Sequence, residues 1–226
     1  MASLYLKLDY TRAEFYEDSK TEQPGFKLYE HPKGHTLSRP YRKYYTGKDN
    51  DFIEGKLVDV SIKEGRRLDD GTVIPKKFSF SLLATDNTTY RNVEMSMGDR
   101  YFASFVQKLG NLSKGQHLII SPYNFVPEGK EYPIMGLSIK DEHGTKIDYF
   151  LSKDAIPRWE KKKVQGETRW DTTEYDNFLY DHLVAQIEEK FSSSTSEAPA
   201  EQNATQEASA APQHDERPLP EDDLPF

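Results

Sequence analysis

The chain has 226 residues, 30 basic and 38 acidic, for a net charge of −8. It has no cysteine, which excludes disulfides, Cys-based zinc sites, thiol catalysis and iron–sulfur clusters. No apolar run approaches the roughly 18 residues that span a bilayer, and the opening MASLYLKLDY lacks the basic-then-apolar order of a secretory signal, so the expectation is a soluble, cytoplasmic protein with no membrane contact.

Residues 1–51 read as an N-terminal extension without a regular hydrophobic rhythm, with one strand near Tyr5–Tyr10. Its second half is distinctive. From His31 to Lys48 there are five bases, Lys33, Arg39, Arg42, Lys43 and Lys48, and no acid, with Tyr41, Tyr44 and Tyr45 among them. Cations attract a polyanionic backbone and aromatic rings stack on exposed bases, so this mixture suits single-stranded nucleic acid. A solvated charge run whose tyrosines pack on the domain gives the same pattern.

Residues 52–152 read mainly as strands. Val58, Val60 and Ile62 alternate with polar residues; so do Phe78, Phe80 and Leu82, then Val93, Met95 and Met97. A period of two buries one face. Leu118–Ile120 form a continuous apolar run, Ile134, Leu137 and Ile139 follow, and Ile147, Tyr149 and Leu151 alternate again. Asp70-Gly71, Glu128-Gly129 and His143-Gly144 are turn signals. One helix interrupts the strands: Asp99 can cap it, Phe102, Phe105, Val106 and Leu109 share a face, and Gly110 is placed to end it. Three strands, a helix, then two more strands is the order of an OB-fold, a five-stranded Greek-key barrel. The expected class is therefore mainly β, with loops 64–77 and 126–133 flanking the binding face. Further basic–aromatic pairs lie here: Lys76 and Lys77 entering a strand with Phe80, the neighbours Tyr90 and Arg91, and Tyr123 and Phe125 beside the second loop. Taken singly, each of these aromatics fits core better than a stacking platform; together they exceed what a small barrel needs inside.

Residues 153–191 combine a basic segment and a helix. Lys153–Arg169 hold six bases and three acids, including Lys161, Lys162 and Lys163, with Trp159 close by. The helix, at about 173–191, carries Tyr175, Phe178, Leu179, Leu183, Ile187 and Phe191 near one face, the pattern of a packing helix. Asp171, Thr172 or Thr173 can cap it.

Residues 192–226 carry eight acids and one base, Arg217, and one aromatic, Phe226. That leaves the first 191 residues close to neutral. Such a segment buries too little apolar surface to offset its chain entropy and is expected to be a disordered linker ending in an acidic tip.

Catalysis finds no support. There is no Walker loop, no G-x-S-x-G and no H-E-x-x-H. The six histidines lack metal-ligand spacing. No cofactor and no metal are expected.

The OB-like strand order, the low-complexity linker and the ending Glu221, Asp222, Asp223, Leu224, Pro225, Phe226 resemble single-stranded DNA-binding (SSB) proteins of bacterial and phage type. The long N-terminal segment and the helix after the barrel look more like a phage-encoded or divergent member, which would act in the bacterial host's cytoplasm. The resemblance implies a non-enzymatic protein that coats single strands in replication, recombination and repair. It also implies that the six tip residues recruit replication and repair proteins. An acidic-tailed factor that binds protein, or an OB-fold RNA binder, fits the same features, and self-association is left open.

Overall fold

The alternating apolar residues between positions 53 and 140 become five strands of one large mixed sheet, and the N-terminal residues add four more. The computed structural model describes residues 1–31, 36–45, 52–69, 71–164 and 167–192. Among these, thirteen strands and two helices form: β1 (Ala2–Asp9), β2 (Glu14–Ser19), β3 (Lys27–Leu28), β4 (Tyr41–Tyr45), β5 (Ile53–Lys63), β6 (Arg66–Arg67), β7 (Val73–Ile74), β8 (Lys77–Leu83), β9 (Thr89–Ser96), α1 (Arg100–Leu109), β10 (His117–Phe125), β11 (Ile134–Lys140), β12 (Glu160–Val164), β13 (Glu167–Asp171) and α2 (Thr173–Lys190). Nine strands make one sheet in the order β11-β10-β5-β8-β9-β1-β2-β4-β3. The β1–β9 pair is parallel and the others are antiparallel. The pairs β6–β7 and β12–β13 stand apart as two-stranded sheets.

The reading of residues 1–51 as a segment with one strand is corrected: β1 to β4 continue the main sheet. β1 does alternate, and its Leu6 and Leu8 are buried. β2 buries one large apolar residue, Phe15, and all five residues of β4 are half-buried. Strands that are polar on both faces carry no period-two signal.

The core lies between the sheet and α1. Phe80 stacks on Phe105 with centroids 4.6 Å apart, and Phe78 meets Phe105 at 5.2 Å and Phe102 at 5.4 Å. All four rings are buried, each contributing roughly 1.5–3 kcal/mol over an exposed ring. Asp99 caps α1 by accepting from the Phe102 N–H at 2.6 Å. Gly110 stands at the other end in a right-handed conformation, φ −59°. Its role is close approach: a Cβ there would run into the ring of Phe150. The end of α1 is satisfied by Lys190 of α2, whose Nζ donates to the carbonyls of Leu109, Gly110 and Leu112 at 3.3, 2.5 and 3.0 Å. A cation at a helix C-terminus is favoured by the helix dipole.

Helix α1 also covers the outer edge of β11. The Ser104 hydroxyl accepts from the Leu137 N–H at 3.0 Å, and Lys108 Nζ donates to that hydroxyl at 3.0 Å. At the far end of the hairpin, Asn124 Nδ2 donates to the Tyr10 carbonyl at 3.0 Å. This curls the β10–β11 end of the sheet toward the turn after β1.

The expected strand at 147–151 does not form. One bridge, Lys140 to Lys146, leads into it. The segment then lies along α1, with the Phe150 and Leu151 N–H groups donating to the Gln107 carbonyl at 2.8 and 3.2 Å. Ile147 and Leu151 alternate because both pack on the core, and that packing does not require a ladder. The 173–191 helix is present as α2, with Leu179 and Leu183 buried. Among the described residues, no helix is long and apolar enough to cross a membrane.

Candidate functional site

The pleat sorts the basic–aromatic run of β4. Arg42 and Tyr44 face one side, and Tyr41, Lys43 and Tyr45 the other. Tyr45 packs against the core and bonds Glu17, while the Lys43 ammonium lies 5.5 Å from the Tyr45 ring. On the opposite face Tyr44 pairs across β2 with Tyr16, and Tyr16 pairs across β1 with Lys7. Asp9, at the end of β1, is the hub. Its carboxylate accepts from Arg42 Nη1 at 2.9 Å and the Tyr44 hydroxyl at 2.8 Å, and from the Thr11 and Arg12 N–H groups at 3.1 and 3.2 Å. The side chains of Arg42 and Asp9 are only 12% and 6% exposed. The Arg42 guanidinium lies between two rings, 3.4 Å from Tyr29 and 4.3 Å from Tyr16, and Arg12 covers Tyr44 at 4.6 Å. Burial first, and the neighbouring Asp9 next, push the Tyr44 hydroxyl up to about 12. Beside this stack opens a cleft of about 650 Å³ lined by Asp9, Thr11, Arg12, Leu28, Tyr29 and Glu30.

A second patch continues the same face. Tyr5 pairs with Asn92, which pairs with Ser81, which pairs with Asp59. One step along, Ser61, Ser79 and Glu94 align. The small side chains bond each other, Ser61 to Ser79 at 3.0 Å and Ser81 to Asn92 at 2.6 Å. Tyr5 stands above them, 63% exposed. Glu94 holds two lysines, Lys63 and Lys77, the latter at 3.4 Å, and the Lys63 ammonium lies 6.0 Å from the Tyr5 ring. A cleft of about 140 Å³ joins the patches; Lys7, Tyr16, Lys77 and Glu94 all line it.

The face therefore brings together Arg39, Arg42, Tyr44, Lys77 and Tyr90 from the sequence-derived candidates. Arg39 is exposed and reaches Asp18 at 3.4 Å, which also bonds Lys7. Phe80 must be withdrawn as a stacking residue: it is fully buried on Phe105 and has no face for a base. Tyr90 is half-buried opposite Leu83 and Ser3. Arg91 is half-buried and donates to the Glu54 carbonyl at 2.7 Å. Lys76 pairs with Glu64 at 3.0 Å and lies 5.4 Å from the Tyr180 ring of α2. Tyr123 packs over Gly136, where a Cβ would strike its hydroxyl. Phe125 is 54% exposed at the end of β10.

Trp159 and Lys161 to Lys163 are not part of this face. Trp159 meets Tyr175 of α2 edge-on at 5.8 Å. The three lysines are exposed on β12, where Lys161 covers Trp170 at 4.7 Å and Lys162 bonds Asp171. Glu221, Asp222, Asp223, Leu224, Pro225 and Phe226 lie outside the described residues.

The sequence reading missed Tyr5, Lys7, Asp9, Arg12, Tyr16, Tyr29 and Lys63. Tyr5 and Lys7 were accessible, since they alternate with Leu4, Leu6 and Leu8. The others carry no local signal, because their relation to β4 is set by pairing. Among the described residues, no group of three or more His, Asp or Glu is placed to hold a metal ion. No family model, curated protein or solved structure significantly matches the chain.

Proposed function

We propose that the chain is a divergent single-stranded DNA-binding protein of OB type, without enzymatic activity, that binds strands with little sequence preference. One observation carries this reading. A continuous sheet face interleaves exposed or half-exposed rings, Tyr5, Tyr16, Tyr29 and Tyr44, with the cations Lys7, Arg12, Lys63 and Lys77. Rings offer sequence-tolerant stacking and cations follow the phosphates. The order β5, β8, β9, α1, β10, β11, with β10 paired to β5, supports the OB assignment. The acidic ending supports the partner-recruiting role, with Phe226 for an apolar pocket and Asp222 and Asp223 for a basic rim.

The test is a fluorescence titration of the full chain with labelled oligo-dT, oligo-U and a duplex of equal length at two salt concentrations. Tight binding to oligo-dT, weak binding to the duplex and a steep decline with salt are expected. Equal affinity for duplex and single strand defeats the reading, and a strong preference for oligo-U shifts it to RNA. Deleting residues 218–226 should tighten binding at low salt and less so at high salt, because a competing anion is removed. The same deletion should abolish capture of replication and repair proteins.

A further inference from the structure

We infer that Tyr5, Lys63, Lys77 and Glu94 form a single-nucleotide subsite in which Glu94 is a built-in competitor for the incoming phosphate. The inference rests on the single-strand reading above and assigns its chemistry to particular atoms.

Tyr5 is the ring on this face most open to a base. Tyr16, Tyr29 and Tyr44 already carry arginines of their own chain at 3.4–4.6 Å. Arg42 thus fills the slot between Tyr16 and Tyr29 that a base would otherwise enter. Over Tyr5 the nearest cation, Lys63, lies at 6.0 Å, and the ring is 63% exposed. Its cross-strand neighbours Asn92 and Ser81 are short and bonded to each other. No tall side chain in that row competes with a base for the ring.

The Lys63 ammonium stands beside the ring, and the carboxylate that holds it also holds Lys77. Glu94 bonds Lys63 and Lys77. Burial raises its carboxyl, but the two lysines outweigh that and hold it below the ordinary range. A phosphodiester also carries one negative charge and two acceptor oxygens. Lysine is a point charge on a flexible four-carbon stem, so both ammonium groups can turn from Glu94 to a phosphate without moving the sheet. The cleft of about 140 Å³ bordered by Lys7, Tyr16, Lys77 and Ser96 gives that phosphate a place beside the carboxylate. Once the lysines turn, Glu94 is left half-buried with its partners shared and an anion near it. It therefore opposes binding, and removing its charge strengthens binding.

The experiment titrates labelled oligo-dT into full-length wild type, Tyr5→Ala, Tyr5→Leu, Tyr5→Phe, Glu94→Gln and Glu142→Gln at low and high salt. Glu142 is an exposed acid on the turn after β11 and controls for net charge. Tyr5→Ala and Tyr5→Leu should weaken binding roughly 5- to 150-fold at both salts, the range expected when one base stack is removed. Tyr5→Leu keeps apolar bulk, so it separates stacking from folding. Tyr5→Phe should bind like wild type. Glu94→Gln should tighten binding several-fold at low salt, with the gain shrinking at high salt, and Glu142→Gln should change nothing. The subsite is overturned if a folded Tyr5→Leu binds like wild type, or if Glu94→Gln binds no more tightly than wild type. It is also overturned if Glu142→Gln tightens binding equally. A wild type that binds no single strand at all overturns the parent reading instead.

Discussion

Two segments of this chain set cations beside aromatic rings and use them differently. β4 and the β12–β13 hairpin both mix lysine or arginine with aromatic rings. In β4 the cation Arg42 is locked: a buried carboxylate holds it, two rings flank it, and a tyrosine hydroxyl bonds it. In the hairpin, Lys161, Lys162 and Lys163 are exposed on a ribbon that pairs with no strand of the main sheet. A cation held in this way organises rings and is unavailable to a phosphate. An exposed one costs little to redirect. Basic–aromatic composition therefore marks two different devices, and the partner of each cation separates them.

The largest contrast should come from removing the carboxylates. Asp9→Ala leaves Arg42 largely buried without its counter-charge, and removes the acceptor for Tyr44 and two backbone N–H groups. A destabilisation of about 2–4 kcal/mol is expected in chemical denaturation. Asp171→Ala in the hairpin removes an exposed pair with Lys162 and an acceptor for the Thr173 N–H at the start of α2, and should lower the unfolding midpoint far less than Asp9→Ala. Similar destabilisation of the two variants would erase the distinction.

A smaller contrast is expected from a single hydroxyl. Tyr44→Phe removes a donor to Asp9 and an acceptor for Arg42 and keeps the ring under Arg12. It should cost about 1 kcal/mol. Because burial and Asp9 keep that hydroxyl protonated to about pH 12, the cost should be the same at pH 6 and pH 9. A cost that varies between them would mean that Tyr44 is not in the Asp9 hub.

Binding sharpens the comparison differently. Lys162→Ala with Lys163→Ala should lower the slope of log affinity against log salt, by up to about one unit for each phosphate that is no longer neutralised. The fold should be unaffected. Arg42→Ala should reduce affinity by disordering the rings, with a nearly unchanged slope. If Arg42→Ala instead lowers the slope, Arg42 touches phosphate and is not the fixed member of the stack.

The smallest effect concerns pH and the segment packed on α1. His182 stacks on Phe150 at 5.7 Å. Burial, and then Lys190, hold its pKa below the ordinary value. The folded state thus favours the neutral ring. The stability tied to it is present above the unfolded pKa of about 6.5 and is lost as pH falls below it. Wild type should lose slightly more stability than His182→Phe between pH 7.5 and pH 5.5. A parallel decline in both would remove His182 from the account.

The sequence by itself determined the elements whose burial is one-sided and local. Apolar alternation located β5, β8 and β9. The spacing of Phe102, Phe105, Val106 and Leu109 located α1, and the face containing Leu179 and Leu183 located α2, because one buried stripe imposes its period on the residues. It could not determine β2, β3 and β4, which bury too little on either face to impose a period, nor the segment at 147–151, where packing of Ile147 and Leu151 on the core imitates a strand. The site divided along the same line. That rings and cations would be interleaved was legible in Tyr41, Arg42, Lys43, Tyr44 and Tyr45. Only the tertiary structure decided that Phe80 is core, that Arg42 is held by a carboxylate 33 positions away, and that Tyr5 lies beside Lys63. A cation's availability depends on where the nearest anion sits in space. Strand pairing sets that distance, and separation along the chain does not.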